Sequence, residues 1–169
     1  MQYVRFAVII AVATALIFAI SYLNVFETDH LWFSMGRVWM AVAMGAAVAV
    51  VVILAMGRSF GDWAANSVVL AAALAAFAAS AWLIRNQEGT GDIGFLRGMI
   101  PHHSAAILSA ERAQIRDPRV RALADRIIAA QQKEIGEMER LIADLDKTHP
   151  PADAPVLPAR PPQAHTAMR

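Results

Sequence analysis

The chain has 169 residues, 57 % of them hydrophobic, and a formal net charge of +1. So small a charge sets up no field to gather nucleic acid, and that class of partner is set aside. With no cysteine in the chain, disulfides and Cys₄-type metal sites are ruled out. Any metal must then be held by His, Met, Asp, Glu or Gln.

Soluble domains are about 45–50 % apolar, and the excess here lies in three runs. Residues Phe6–Leu23, Val38–Gly57 and Ala64–Ile84, of 18, 20 and 21 residues, contain no Asp, Glu, Lys or Arg. A membrane span needs about 20 predominantly apolar residues, so each run predicts one, and residues 1–85 read as a membrane domain of three transmembrane helices. Tyr22, Trp32, Trp39, Trp63 and Trp82 stand near the run ends, where interfacial aromatics belong. The second and third runs are rich in alanine, with Gly45 in the second, so close helix approach is expected.

Three spans place the termini on opposite sides. With the amino terminus inside, Arg5 and Arg58 lie inside and Arg37 and Arg85 outside, so the positive-inside rule gives no direction. Methionine and histidine metal sites escape competition from thiols outside the cytosol, which favours a multi-pass protein of a bacterial inner membrane with its C-terminal module in the periplasm. A rival reading makes the first run a signal peptide, with Arg5 as its basic end and Ala19-Ile20-Ser21 as the cleavage site, although the run exceeds the usual h-region of about 7–15 residues.

Residues Arg85–Gly91 are polar with two glycines and predict a hinge. Asp92 is placed as the cap of a helix running to about Ile115, with Phe95, Leu96, Met99, Ala106, Ile107 and Ala110 at apolar spacings of three and four. Pro101 predicts a kink or a fresh start in that helix. Asp117-Pro118 is a helix-start signal, an N-cap followed by proline at the first helical position. The second helix is expected to run to about Asp146, with Val120, Leu123, Ile127, Ile135, Met138, Leu141, Ile142 and Leu145 inward. So short a connection makes the helices antiparallel. Asp92–His149 holds nine basic and nine acidic residues, an ordinary solvated surface. Six of the eight prolines follow Lys147, so residues 147–169 predict a disordered tail. The fold class is all-α: three transmembrane helices, then an antiparallel hairpin over 92–146.

The chemistry is expected in the hairpin. Counting outward from a turn near Asp117 sets His103 opposite Gln131, Met99 opposite Glu134 or Ile135, and Leu96 opposite Met138, within one helical turn. Met99 and His103 share a helical face with His102 beside them, and Gln131, Glu134 and Met138 share one side of theirs. Polar groups in an apolar seam are costly unless paired or bound. One account pairs His103 with Glu134 by a hydrogen bond. The other gathers Met99, His102 and His103 around a metal, with Met138 as a further sulfur ligand. Glu134 and Gln131 then serve as weak oxygen ligands or as partners orienting an imidazole. Thioether and imidazole together select copper, as Cu(I) or Cu(II), over magnesium or calcium. Glu111 reads as a surface charge. Met40 and Met44 read as packing residues, with a copper path through them, His30 and Met35 as the weaker account. His149, His165 and Met168 belong to the tail. No nucleophile–base pair, phosphate-cradling loop or catalytic carboxylate pair is present, so no enzyme is expected.

The stretch Asp92-Ile-Gly-Phe95-Leu-Arg-Gly-Met99-Ile-Pro-His102-His103, followed by Gln131-Gln-Lys-Glu134-Ile-Gly-Glu137-Met138, resembles the DUF305 family. The membrane half is similar to the three-span version of that family in Tyr22-Leu-Asn24, Asp29-His30 and Met40. The resemblance implies a ferritin-like helical bundle, usually periplasmic or exported, with some relatives linked to copper binding and tolerance. Many members carry two hairpins where this chain has one. A complete bundle would then need a second copy in a homo-oligomer, a partner membrane protein, or packing against the membrane half. The functional expectation is a membrane-anchored copper-binding protein for buffering, tolerance or handover. The alternative is a structural accessory subunit of a larger membrane complex, with the hairpin as its interaction surface.

Overall fold

A computed structural model of the chain describes residues 1–87, 89–151 and 153–159. It is all-helical among these residues, with α1 (Gln2–Ile20), a short 3₁₀ turn (Thr28–His30), α2 (Met35–Phe60), α3 (Trp63–Asn86), α4 (Asp92–Arg112) and α5 (Pro118–Leu145). The three helices α1, α2 and α3 have 19, 26 and 24 residues and are long and apolar enough to cross a membrane. At 1.5 Å per residue they span about 29, 39 and 36 Å, against a hydrocarbon core of about 30 Å.

Helix α2 is the middle member, packed on both α1 and α3. Its buried residues are Ala41, Ala43, Gly45, Ala46, Ala49 and Ile53, nearly all small, which lets the neighbouring backbones come close. The outer faces stay apolar, with Val4, Val8, Ile9, Val12 and Leu16 of α1 all exposed. So large an apolar exterior suits lipid and not water. The α2–α3 turn is made by Gly61, at φ 75°, which favours glycine, and by Asp62, whose carboxylate accepts from the Ala65 N–H at 3.0 Å. Tyr3 reaches the same end, its hydroxyl 3.0 Å from Asn66 Oδ1, so the start of α1 lies beside this turn.

Helices α1 and α2 approach closely at Gly45. A methyl group on Gly45 would collide with the Thr14 hydroxyl and stand 3.1 Å from Thr14 Cβ. That hydroxyl donates to the Ile10 carbonyl at 2.8 Å, so turning it aside breaks a hydrogen bond inside lipid. Gly45→Val is expected to lower stability by about 1–3 kcal/mol, the usual cost of overpacking. Thr14→Ala should return part of that loss, and thermal unfolding of the two single variants and the double variant in detergent measures the coupling.

In the hairpin, α4 is continuous from Asp92 to Arg112 through Pro101, so no fresh start occurs there. It also ends three residues before the expected Ile115. Gly91, and not Asp92, is its N-cap; Asp92 sits in the first turn. Asp117 caps α5 as expected, its carboxylate accepting from the Arg119 N–H at 2.8 Å. The Arg119 guanidinium holds this carboxyl below its ordinary range. The core between the helices is Leu96, Ile100 and Ile107 of α4 with Ile135, Met138 and Ile142 of α5.

Several residues expected inward are not. Phe95 is 54 % exposed, and Val120, Leu123, Ile127 and Leu141 are also exposed. Two helices bury only the stripe each turns to the other, which is narrower than the apolar arc of α5. The membrane half meets the hairpin through α4. Phe26 and Trp32, from the loop between α1 and α2, pack on the hairpin core. Residues 147–151 and 153–159 hold no helix or strand, and the rest of the predicted tail, His165 and Met168 included, lies outside the described residues.

Candidate functional site

The site is built at the join between hairpin and loop. Tyr22, just past α1, ties the loop ends together: its hydroxyl donates to the Trp32 carbonyl at 3.0 Å and accepts from the Ser34 N–H at 3.1 Å. The Arg37 guanidinium lies over its ring at 4.4 Å. The loop between these ties is pressed against α4. Ser104, fully buried on α4, accepts from the Phe26 N–H at 2.8 Å and lies 2.9 Å from His30 Nδ1. The arrangement that satisfies all three groups has the Ser104 hydroxyl donating to Nδ1. His30 then carries its hydrogen on Nε2, 4.0 Å from the Glu27 carboxylate.

One residue before Ser104, His103 is buried and faces α5. Its Nε2 lies 2.8 Å from Glu134 Oε2. A carboxylate only accepts, so Nε2 carries the hydrogen. In the neutral ring Nδ1 is left as a bare lone pair, buried and without a hydrogen-bond partner. Buried polar atoms are seldom left so. Among the described residues Trp32 Nε1 and Arg97 Nε are also buried and unpartnered, but both are N–H donors. Only His103 Nδ1 offers a pair of electrons.

His102 is exposed on the next position of α4. The two imidazole ring centres are 6.0 Å apart, with the rings inclined at 61°. Met99, one turn earlier, is half-buried against the core cluster that contains Met138. Met99 and His102 both line an open cavity of about 1000 Å³ between α4, the linker after α3 and the start of α2. Among the described residues no three His, Cys, Asp or Glu side chains converge as a metal-binding group. An ion here would therefore depend on thioether donors, as copper chemistry allows.

Residues 92–169 match the family model described as "Domain of unknown function (DUF305)". This part of the chain is a DUF305 domain. A relative from Acanthamoeba polyphaga mimivirus, described as an uncharacterized protein, is 43 % identical over 63 residues, which are 36 % of this chain and 41 % of the relative. The chain thus spans well under half of that relative. No solved structure matches the chain.

Within the DUF305 domain, Glu134 stands opposite His103, the hydrogen-bonded pair named by one of the two sequence accounts, three residues beyond the Gln131 of the simple count. The three-residue difference has a physical cause. Side chains on both helices lean toward their own N-termini, and in an antiparallel pair both tilts carry the partner of His103 to a higher number on α5. Gln131, one turn earlier, is half-buried. Met138 is buried in the core of the DUF305 domain. Glu111 and His149 are exposed, and so are Met40 and Met44 on α2. Sequence reading missed the pairing of His30 with Ser104. The available signal was the Asp29-His30 pair in the three-span resemblance, and nothing in the spacing connects it to a serine 74 positions later.

Proposed function

We propose that the protein is a membrane-anchored copper-binding protein, serving copper buffering, tolerance or handover at the periplasmic face of a bacterial inner membrane. The observation that carries the reading is the buried, unpartnered His103 Nδ1 on a ring whose other nitrogen is anchored by Glu134 at 2.8 Å. Metal-bound histidines commonly donate their second N–H to a carboxylate, which fixes the tautomer and aims the free nitrogen. His102 and Met99 stand beside it. In this reading Glu134 orients His103 and does not itself bind the ion. Met138 is buried in the core cluster against which Met99 packs, and in this reading it is the further sulfur ligand.

The test is copper binding by the full chain in detergent, because Phe26 and Trp32 complete the hairpin core. His102→Ala with His103→Ala should weaken binding by at least roughly 100-fold, taking about tenfold as the lower cost of disturbing each ligand. Unchanged affinity in that variant ends the copper reading.

The second reading, a structural accessory subunit, is favoured by the exposed Val120, Leu123 and Ile127 on one side of α5. Purification from native membrane in mild detergent separates the two. A stoichiometric protein partner with no copper by elemental analysis supports the accessory role.

A further inference from the structure

We propose that Met35, at the start of α2, is a further soft ligand for the ion held by Met99, His102 and His103, so that the copper site is divided between the membrane half and the hairpin. The inference rests on the copper reading and adds to it a residue from outside the DUF305 domain. Met35, Met99 and His102 line the same cavity. A second, independent contact brings their backbones together. Ser34 Oγ lies 3.4 Å from the place a Cβ on Gly98 would occupy. Met35 and Met99 are the next residues along the chain from this contact.

Packing does not account for Met35. A methionine that fills a core gap is buried, whereas Met35 is 47 % exposed and belongs to neither apolar cluster. Met40 and Met44 are equally exposed at 49 % each, yet neither lines the cavity. They serve as internal controls. The cavity lining includes a single imidazole, that of His102. Two thioethers together with imidazole nitrogen suit Cu(I) and leave zinc and magnesium poorly served. The loop latch gives the arrangement its purpose: Ser104 holds the loop against α4 through the Phe26 N–H and His30, and the loop leads directly into Met35.

The experiment compares the full chain with Met35→Leu, Met40→Leu and the His102→Ala, His103→Ala double variant, all in detergent with Cu(I) alone under anaerobic reducing conditions. Competition against a chromophoric Cu(I) chelator gives affinity, and X-ray absorption at the copper edge gives the sulfur neighbours. Met35→Leu should remove one sulfur neighbour and weaken binding by at least roughly tenfold, the lower cost seen when even an outer partner of a metal site is lost. Met40→Leu should change neither. If Met35→Leu matches the parent chain while the double histidine variant loses copper, Met35 is not a ligand and the copper reading stands. If the parent chain binds no Cu(I), both fall. Leucine keeps the bulk and helix preference of methionine, and hydrogen exchange of α2 and α4 in each variant separates a lost ligand from a lost fold.

Discussion

Ser104→Val is expected to free the loop between α1 and α2 from the hairpin while both parts stay folded. Ser104 is fully buried, and its hydroxyl serves the Phe26 N–H at 2.8 Å and His30 Nδ1 at 2.9 Å. Valine replaces the hydroxyl with two methyl groups, one heavy atom more than serine, and serves neither. Each buried group left unpaired costs about 1–3 kcal/mol, whereas the added apolar burial returns only about 0.8 kcal/mol per carbon. The penalty dominates, with a net loss of about 1–4 kcal/mol at this contact. Hydrogen exchange on the full chain in detergent reads it directly. The Phe26 amide should exchange faster by a factor of ten or more, at about 1.4 kcal/mol per tenfold, while amides in the middle of α2 keep their protection. Full protection at Phe26 in the valine variant would mean that the loop is held by Trp32 and Phe26 packing alone.

The largest loss of stability is expected from Ile107→Ala. Ile107 has no exposed surface and sits in the hairpin core with Leu96, Ile100, Ile135, Met138 and Ile142. Truncating a buried isoleucine costs about 2–5 kcal/mol through lost transfer energy and the cavity left behind. Whole domains hold only about 5–15 kcal/mol, and a two-helix hairpin commands a small share of that. The variant should therefore unfold the hairpin locally near room temperature, with α4 and α5 losing amide protection together. Leu123→Ala is the comparison. Leu123 is 49 % exposed, and away from special contacts a surface change stays within about 0.5 kcal/mol. Equal effects of the two substitutions would show that the exposed side of α5 is covered in solution.

Much of the architecture follows from patterns within one element. The three apolar runs required helices long enough for a bilayer, because a chain in lipid must satisfy its own backbone hydrogen bonds. Asp117-Pro118 marked the start of α5 through cap chemistry that needs no distant partner. The short connection before it forced α4 and α5 antiparallel. The seam of Leu96, Ile107, Ile135, Met138 and Ile142 was likewise readable from helical spacing. The exposure of Val120, Leu123, Ile127 and Phe95 was not, since spacing shows which residues share a face and says nothing of how much of that face a neighbour covers.

The functional side chains divide the same way. Their types and their grouping on two helices were written in the chain: Met99, His102 and His103 on one, Gln131, Glu134 and Met138 on the other. The pairing of His103 with Glu134 was one of the two accounts the chain offered, and side-chain tilt across the pair selects it over Gln131. The contact of His30 with Ser104, the approach of Ser34 to Gly98 and the cavity that Met35 and Met99 both line came only from the fold. Local composition and periodicity act through neighbours a few residues apart. Contacts between residues more than 60 positions apart depend on how the membrane half and the hairpin pack, and no short-range pattern encodes that.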